Sequence, residues 1–225
     1  MTASEHWRFA VDGASEVSAL FSRLPNARHL LVLGHGAGAG MSHPFMEKLA
    51  AELGAAGVAT LRYQFPYMED GRRVPDGPAV LTATAVAAVG AAAKAAPDLP
   101  LFAGGKSMGG RMTSQAAAQR PLDGVQGLVF FGFPLHPPKR PSTKRADHLA
   151  KVTVPMLFLQ GTRDDLADLD LLRPVCARLG PLATLSVVEA ADHSFHVLKR
   201  SGTSNTAVLQ QLVQTVASWA EKIRA

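Results

Sequence analysis

The 225-residue chain carries 23 Lys and Arg against 18 Asp and Glu, a formal net charge of +5, and 47% of its residues are hydrophobic. That length fits one domain, residues 1–225, with ample apolar material for a single large core. The lone cysteine, Cys176, excludes an internal disulfide, and residues 1–8 hold no apolar stretch of signal-peptide length, so a reducing cytoplasm is the expected compartment.

The first 25 residues differ from the rest. Residues 7–11 and 17–24 read as strands flanking a turn at Asp12-Gly13-Ala14-Ser15, an antiparallel hairpin added to one edge of a sheet. An exposed edge strand invites pairing with a second copy, so a homodimer through this edge is a candidate assembly. From residue 29 onward, apolar β-rich runs alternate with helical patterns: strand 29–33 and helix 44–56, strand 58–63 and helix 79–96, strand 99–103 and helix 108–120. Strand 125–131, a Pro-rich loop, strand 154–159, a helix over about 166–179, strand 183–189 and an amphipathic helix over about 205–224 complete the chain. Alternation of this kind means a mostly parallel central sheet with helices on both faces. Residues 77–93 are uncharged and Ala-rich but fall short of the roughly 20 strongly apolar residues that span a bilayer, and read as a helix packed on the sheet.

The basic residues concentrate at Lys139-Arg140-Pro141-Ser142-Thr143-Lys144-Arg145. Three prolines in and before this segment make it a loop, and no aromatics are interleaved for stacking on bases, so it reads as solvated; neither nucleic acid nor membrane is an expected partner.

The chemistry centres on Gly105-Lys106-Ser107-Met108-Gly109, a G-x-S-x-G pentapeptide between a strand and a helix. A serine on so sharp a turn has a strained backbone, and side chains two residues to either side would collide with the neighbouring chain; Gly105 and Gly109 remove the collision. A nucleophilic serine needs a base and an acid to orient the base. Asp164, in Gly161-Thr162-Arg163-Asp164, leaves the end of the strand preceding it and is the acid candidate; Asp165 competes, and Asp168 fits better as a helix cap. His193 falls on the loop after the last strand and is the base candidate, with His196 as competitor. The loop Gly34-His35-Gly36-Ala37-Gly38-Ala39-Gly40 can turn backbone N–H groups toward a ligand, so the amides of Ala37 and Met108 are candidates for an oxyanion hole, with the His35 ring holding the loop backbone.

Together these segments resemble the α/β-hydrolase superfamily over about residues 29–224, and within it the compact, lidless group of dienelactone-hydrolase-like and predicted bacterial hydrolases. The dienelactone enzymes use cysteine in the elbow, where this chain has Ser107. The resemblance implies the acid-after-serine, base-last order that Ser107, Asp164 and His193 follow.

Residues 133–153 are too few for a folded cap once a short helix at about 146–151 is allowed, so the site is expected to be open and suited to a small or medium soluble ester or thioester. No cofactor or metal is expected. Tyr63, Phe65, Tyr67 and Met68 follow the second parallel strand and are candidate substrate contacts, and Arg62 could meet an acidic group or a surface carboxylate. Two other classes have partial signatures in the sequence. Gly34-x-Gly36-x-x-Ala39 meets a relaxed dinucleotide fingerprint but lacks an acidic residue after the second strand, and Pro100 stands where a Walker A loop needs glycine. A non-catalytic binding module on the same fold would be expected to lack a triad member, and all three are present.

Overall fold

The structure is a computed structural model that describes residues 4–12 and 15–224. The strands are β1 (Glu5–Phe9), β2 (Val17–Ser22), β3 (His29–Gly34), β4 (Val58–Tyr63), β5 (Leu101–Lys106), β6 (Val125–Phe131), β7 (Met156–Gly161) and β8 (Ala183–Val188). They form one sheet in the order β1-β2-β4-β3-β5-β6-β7-β8. β1 and β2 run antiparallel, β2 joins β4 antiparallel, and every later pairing is parallel. β3, β4 and β7 are buried along their whole length and are accordingly mostly apolar on both faces, with His29, Thr60, Arg62 and Gln160 as buried polar exceptions. The hairpin expected at the edge is therefore present; residues 13 and 14 of its expected turn lie outside the described residues.

The helices are α1 (Pro44–Ala55), α2 (Pro66–Glu69), α3 (Pro78–Ala95), α4 (Met108–Gln119), α5 (Leu169–Leu179) and α6 (Asn205–Arg224). One face of the sheet is covered by α3, α4 and α5 through Leu81, Ala85, Met112, Ala116, Leu172 and Val175. The other is covered by α1 and α6 through Met46, Leu49, Leu53, Val208, Leu212 and Val216. Burying each such Leu or Val contributes about 1.5–3 kcal/mol, so the two apolar layers clamp the helices to the sheet and leave its carboxyl edge to the loops. By length and composition α3 reaches the range of a bilayer-crossing helix, beyond the expectation for residues 77–93. Its alanines let it lie close against the sheet instead, with Ala85, Ala88 and Ala92 fully covered.

Several boundaries differ from expectation. β5 begins at Leu101 and continues through Gly104 and Gly105 to Lys106, because those glycines let the strand press between β3 and β6. α5 begins at Leu169, after Asp168 accepts from the Asp170 N–H at 2.9 Å and caps the helix. The segment 133–153 contains a 3-10 helix, Lys144–Lys151, and no cap domain.

Candidate active site

Ser107 sits between β5 and α4 with φ 51° and ψ −113°, a left-handed conformation that costs a non-glycine residue about 1–3 kcal/mol. The surroundings hold it there: its N–H donates to the Phe131 carbonyl at 3.1 Å, and its own carbonyl accepts from Arg111 at 3.1 Å. A Cβ on either Gly105 or Gly109 would stand 2.2 Å from the Gly34 carbonyl oxygen, so both glycines are required by the approach of β3. The strained turn lifts the hydroxyl above the carboxyl edge of the sheet, where the loops after β3, β7 and β8 converge.

The His193 Nε2 accepts from the Ser107 hydroxyl at 2.9 Å, and its Nδ1–H donates to Asp164 Oδ2 at 2.7 Å. The Asp164 side chain is fully buried while that of His193 is 20% exposed, so the acid is shielded and the base is open to the cleft. Asp164 is held from two more directions: the Gln160 amide donates to Oδ2, and the Leu166 N–H donates to Oδ1 at 2.8 Å. Asp165 is exposed, and Asp168 caps α5 as expected. The loop bearing His193 is closed by Asp192, whose Oδ1 accepts from Ser194 at 2.8 Å and His196 at 2.9 Å. His196 lines the cleft, but it is His193 that meets Ser107.

The loop after β3 is braced from behind. His35 is buried; its Nδ1–H donates to the Gly36 carbonyl at 2.7 Å and its Nε2 accepts from Phe65 N–H at 3.2 Å. Burial lowers its pKa to about 4, so the ring is neutral and Nε2 is free to accept. The Gly38 N–H donates to the Tyr67 hydroxyl at 2.9 Å, and the Met41 N–H to the Gln64 side-chain oxygen at 2.8 Å. This brings Gly36 beside Ser107, with Ala37 lining the same cleft, and Met108 opens α4, where first-turn amides have no intrahelical acceptor. The cleft encloses about 430 Å³, with Ala37, Phe45, Met46, Leu166 and His193 among its walls. A second hollow of about 330 Å³ adjoins it, sharing His43, Phe45, Ser194 and His196.

The aromatic residues expected to contact substrate do not line this cleft. Tyr63, Phe65 and Tyr67 are fully buried in the core, where Tyr63 and Phe65 meet edge to face, 5.1 Å apart. Met68 is partly buried and packs toward Gly40. The physical reason is the sheet order: β4 lies between β2 and β3, one strand removed from β5, so the residues after it support the loop from below. Arg62 is buried and donates to the Met41 carbonyl at 3.0 Å, and of its two expected partners it is a surface carboxylate, that of Glu47, whose charge reaches it. In the basic loop, Lys139, Arg140 and Lys144 are exposed.

Four residues at the site carry no local signal in the sequence. Gln160 ends a strand that reads as purely apolar, and only the fold shows that it supports Asp164. Phe45, on the cleft wall, stacks 5.9 Å from Phe195, which lines the adjoining hollow, and Lys106 lines the cleft itself. The lysine stands in plain view inside the pentapeptide, yet nothing local signals that its ammonium is shut off from solvent.

An eight-stranded, mostly parallel sheet with a strained serine elbow at its carboxyl edge and no cap is a lidless α/β-hydrolase fold. The chain belongs to the alpha/beta hydrolase domain family, whose sequence profile matches residues 27–221. Among solved structures it is similar to a dienelactone hydrolase from Anabaena variabilis, with 21% identity, 97% of each chain covered and a TM-score of 0.73. It is also similar to XC6422 from Xanthomonas campestris, described as a serine hydrolase without lid (18% identity, 97% of this chain and 96% of that one, TM-score 0.75). A third, Est1E from Butyrivibrio proteoclasticus with ferulic acid bound, shares 16% identity over 94% of this chain and 98% of that one, TM-score 0.70. At such identities the likeness is one of fold.

Proposed function

We propose that the protein is a serine hydrolase of small or medium soluble carboxylic esters or thioesters, working in the cytoplasm through an acyl-enzyme. The observation that carries this reading is the unbroken chain from Asp164 through His193 to Ser107, with contacts of 2.7 and 2.9 Å, at the floor of an open cleft. Ser107 Oγ attacks the carbonyl carbon while its proton passes to His193 Nε2, and buried Asp164 stabilises the imidazolium that forms. The amides of Ala37 and Met108 receive the developing oxyanion, in a loop already fixed by His35 and Tyr67. The imidazolium then protonates the leaving alcohol or thiol, and water enters by the same route to release the acid and restore the serine. The absence of a cap favours soluble acyl groups, because a long chain would find little apolar surface to cover it.

Hydrolysis of p-nitrophenyl esters from acetyl to dodecanoyl, by the protein beside Ser107→Ala, His193→Ala and His196→Ala, tests this. Short esters are turned over, Ser107→Ala and His193→Ala lose activity, and His196→Ala keeps it. No turnover of any ester or thioester by the intact protein would overturn the reading, and a preference for the longest chains would overturn its substrate class.

A further inference from the structure

Lys106 directly precedes Ser107, and its side chain has no part in the reaction just described. The stem runs past Gly36, with Cγ 3.7 Å from where a Cβ on that glycine would stand. The Nζ is shut off from solvent and has no hydrogen-bonding partner among the described residues. It rests 5.6 Å from the centre of the Phe195 ring. Phe195 is itself 3% exposed, with φ 61°, in the same tight turn as His193. Nζ and the His193 ring also flank Gly132: a Cβ there would lie 3.2 Å from the ammonium and 3.4 Å from Nδ1.

A buried ammonium without a hydrogen bond is costly, and such groups are rare unless the surroundings use the charge. Desolvation pushes the Lys106 pKa down to about 8, while Asp164 and Asp192 oppose the shift. The charged or titratable groups facing this region are Asp164 from the loop after β7, and Asp192 and His193 from the loop after β8. His43 and His196 stand farther out on the cleft wall.

We propose that Lys106 is a positioning residue for the Ser107, His193 and Asp164 unit: the seat of its enclosed ammonium on the Phe195 ring fixes the turn that carries His193. The proposal rests on the serine-hydrolase reading above.

Two readouts test it. The first is the rate at which an alkyl fluorophosphonate labels Ser107 at neutral pH. The second is the downfield NMR signal of the His193 Nδ1 proton held by Asp164, assigned with His193→Gln, which needs no turnover. Both are compared in the wild type, Lys106→Met and Lys106→Arg, with Lys106→Gln standing in should the methionine variant fail to fold. Removing the ammonium is expected to slow labelling by about tenfold and to shift and broaden the downfield signal, and Lys106→Arg, which keeps a cation over the ring, to restore both. An unchanged rate and signal in a folded Lys106→Met protein would overturn the proposal. A wild-type Ser107 that is never labelled would sink the hydrolase reading alone, and the His193 signal would still decide for or against Lys106.

Discussion

The carbonyl oxygen of Gly34 lies 2.2 Å from the place a Cβ on Gly109 would occupy, with the Gly34 carbonyl carbon at 2.3 Å. Both atoms are backbone in β3, a strand buried along its whole length between β4 and β5, so neither can step aside. Gly109→Ala is therefore expected to cost about 3 kcal/mol, at the upper end of overpacking penalties, and to abolish labelling of Ser107 by displacing the first turn of α4. Urea unfolding followed by fluorescence measures the first effect. A variant with the wild-type midpoint would mean that β3 and α4 are not in register as described.

Asp164 and Asp165 are neighbours in sequence and opposites in setting. Asp164 has a fully buried side chain bonded to His193, whereas Asp165 is exposed. Asp164→Asn replaces an anion with an amide that no longer stabilises the imidazolium, and kcat on a short ester is expected to fall by about 10⁴. Asp165→Asn should stay within twofold of the wild type, in keeping with the small effects of surface substitutions. Steady-state kinetics at neutral pH checks the pair, and equal losses in both variants would contradict the assignment of the acid.

What the sequence made legible follows from how local each signal is. β4, β6 and α6 have the extents expected, because a long apolar run or a sustained helical period is read residue by residue. The elbow is likewise local: strand, strained serine and helix need only the two glycines. That Asp164 and His193 meet beside Ser107 is legible through topology, since loops at the carboxyl ends of parallel strands share one edge. Tyr63, Phe65 and Tyr67 were not, because whether an aromatic after β4 faces a cleft or the core depends on β2 closing over that strand. The setting of the Lys106 ammonium is hidden for the same kind of reason: it is enclosed beside Phe195 and Gly132, both far along the chain. α2 has four residues and no period to detect.

Tyr67 acts on the site from behind. Its hydroxyl accepts the Gly38 N–H at 2.9 Å, and the ring is otherwise fully enclosed. Tyr67→Phe keeps the packing and leaves that N–H without its partner, a loss of about 1–3 kcal/mol that falls on the loop carrying Ala37. The expected result is a roughly tenfold lower kcat with KM little changed, because the oxyanion donor matters in the transition state more than in the bound ester. A raised KM at constant kcat would instead place Tyr67 among the groups that bind the ground state.

The buried histidine of the same loop sets a pH dependence of stability. His35 has a folded pKa of about 4 against an ordinary value of 6.5, because burial disfavours the imidazolium and only the Gly36 carbonyl opposes it. Between those values the unfolded chain binds the proton and the folded chain does not. The stabilisation is thus complete above about pH 6.5 and is lost as pH falls toward 4, by roughly 1.4 kcal/mol per pH unit for this one group. His148, bonded to Ser114 at 2.8 Å and also lowered to about 4 by burial and by Arg111, adds a loss of the same sign. Urea midpoints are accordingly expected to drop between about pH 7 and about pH 5, and His35→Gln to start lower but fall less steeply across the same interval. Equal slopes in the two proteins would show that the folded loop accepts a proton on His35 freely, and that the bond from Phe65 to Nε2 does not constrain it.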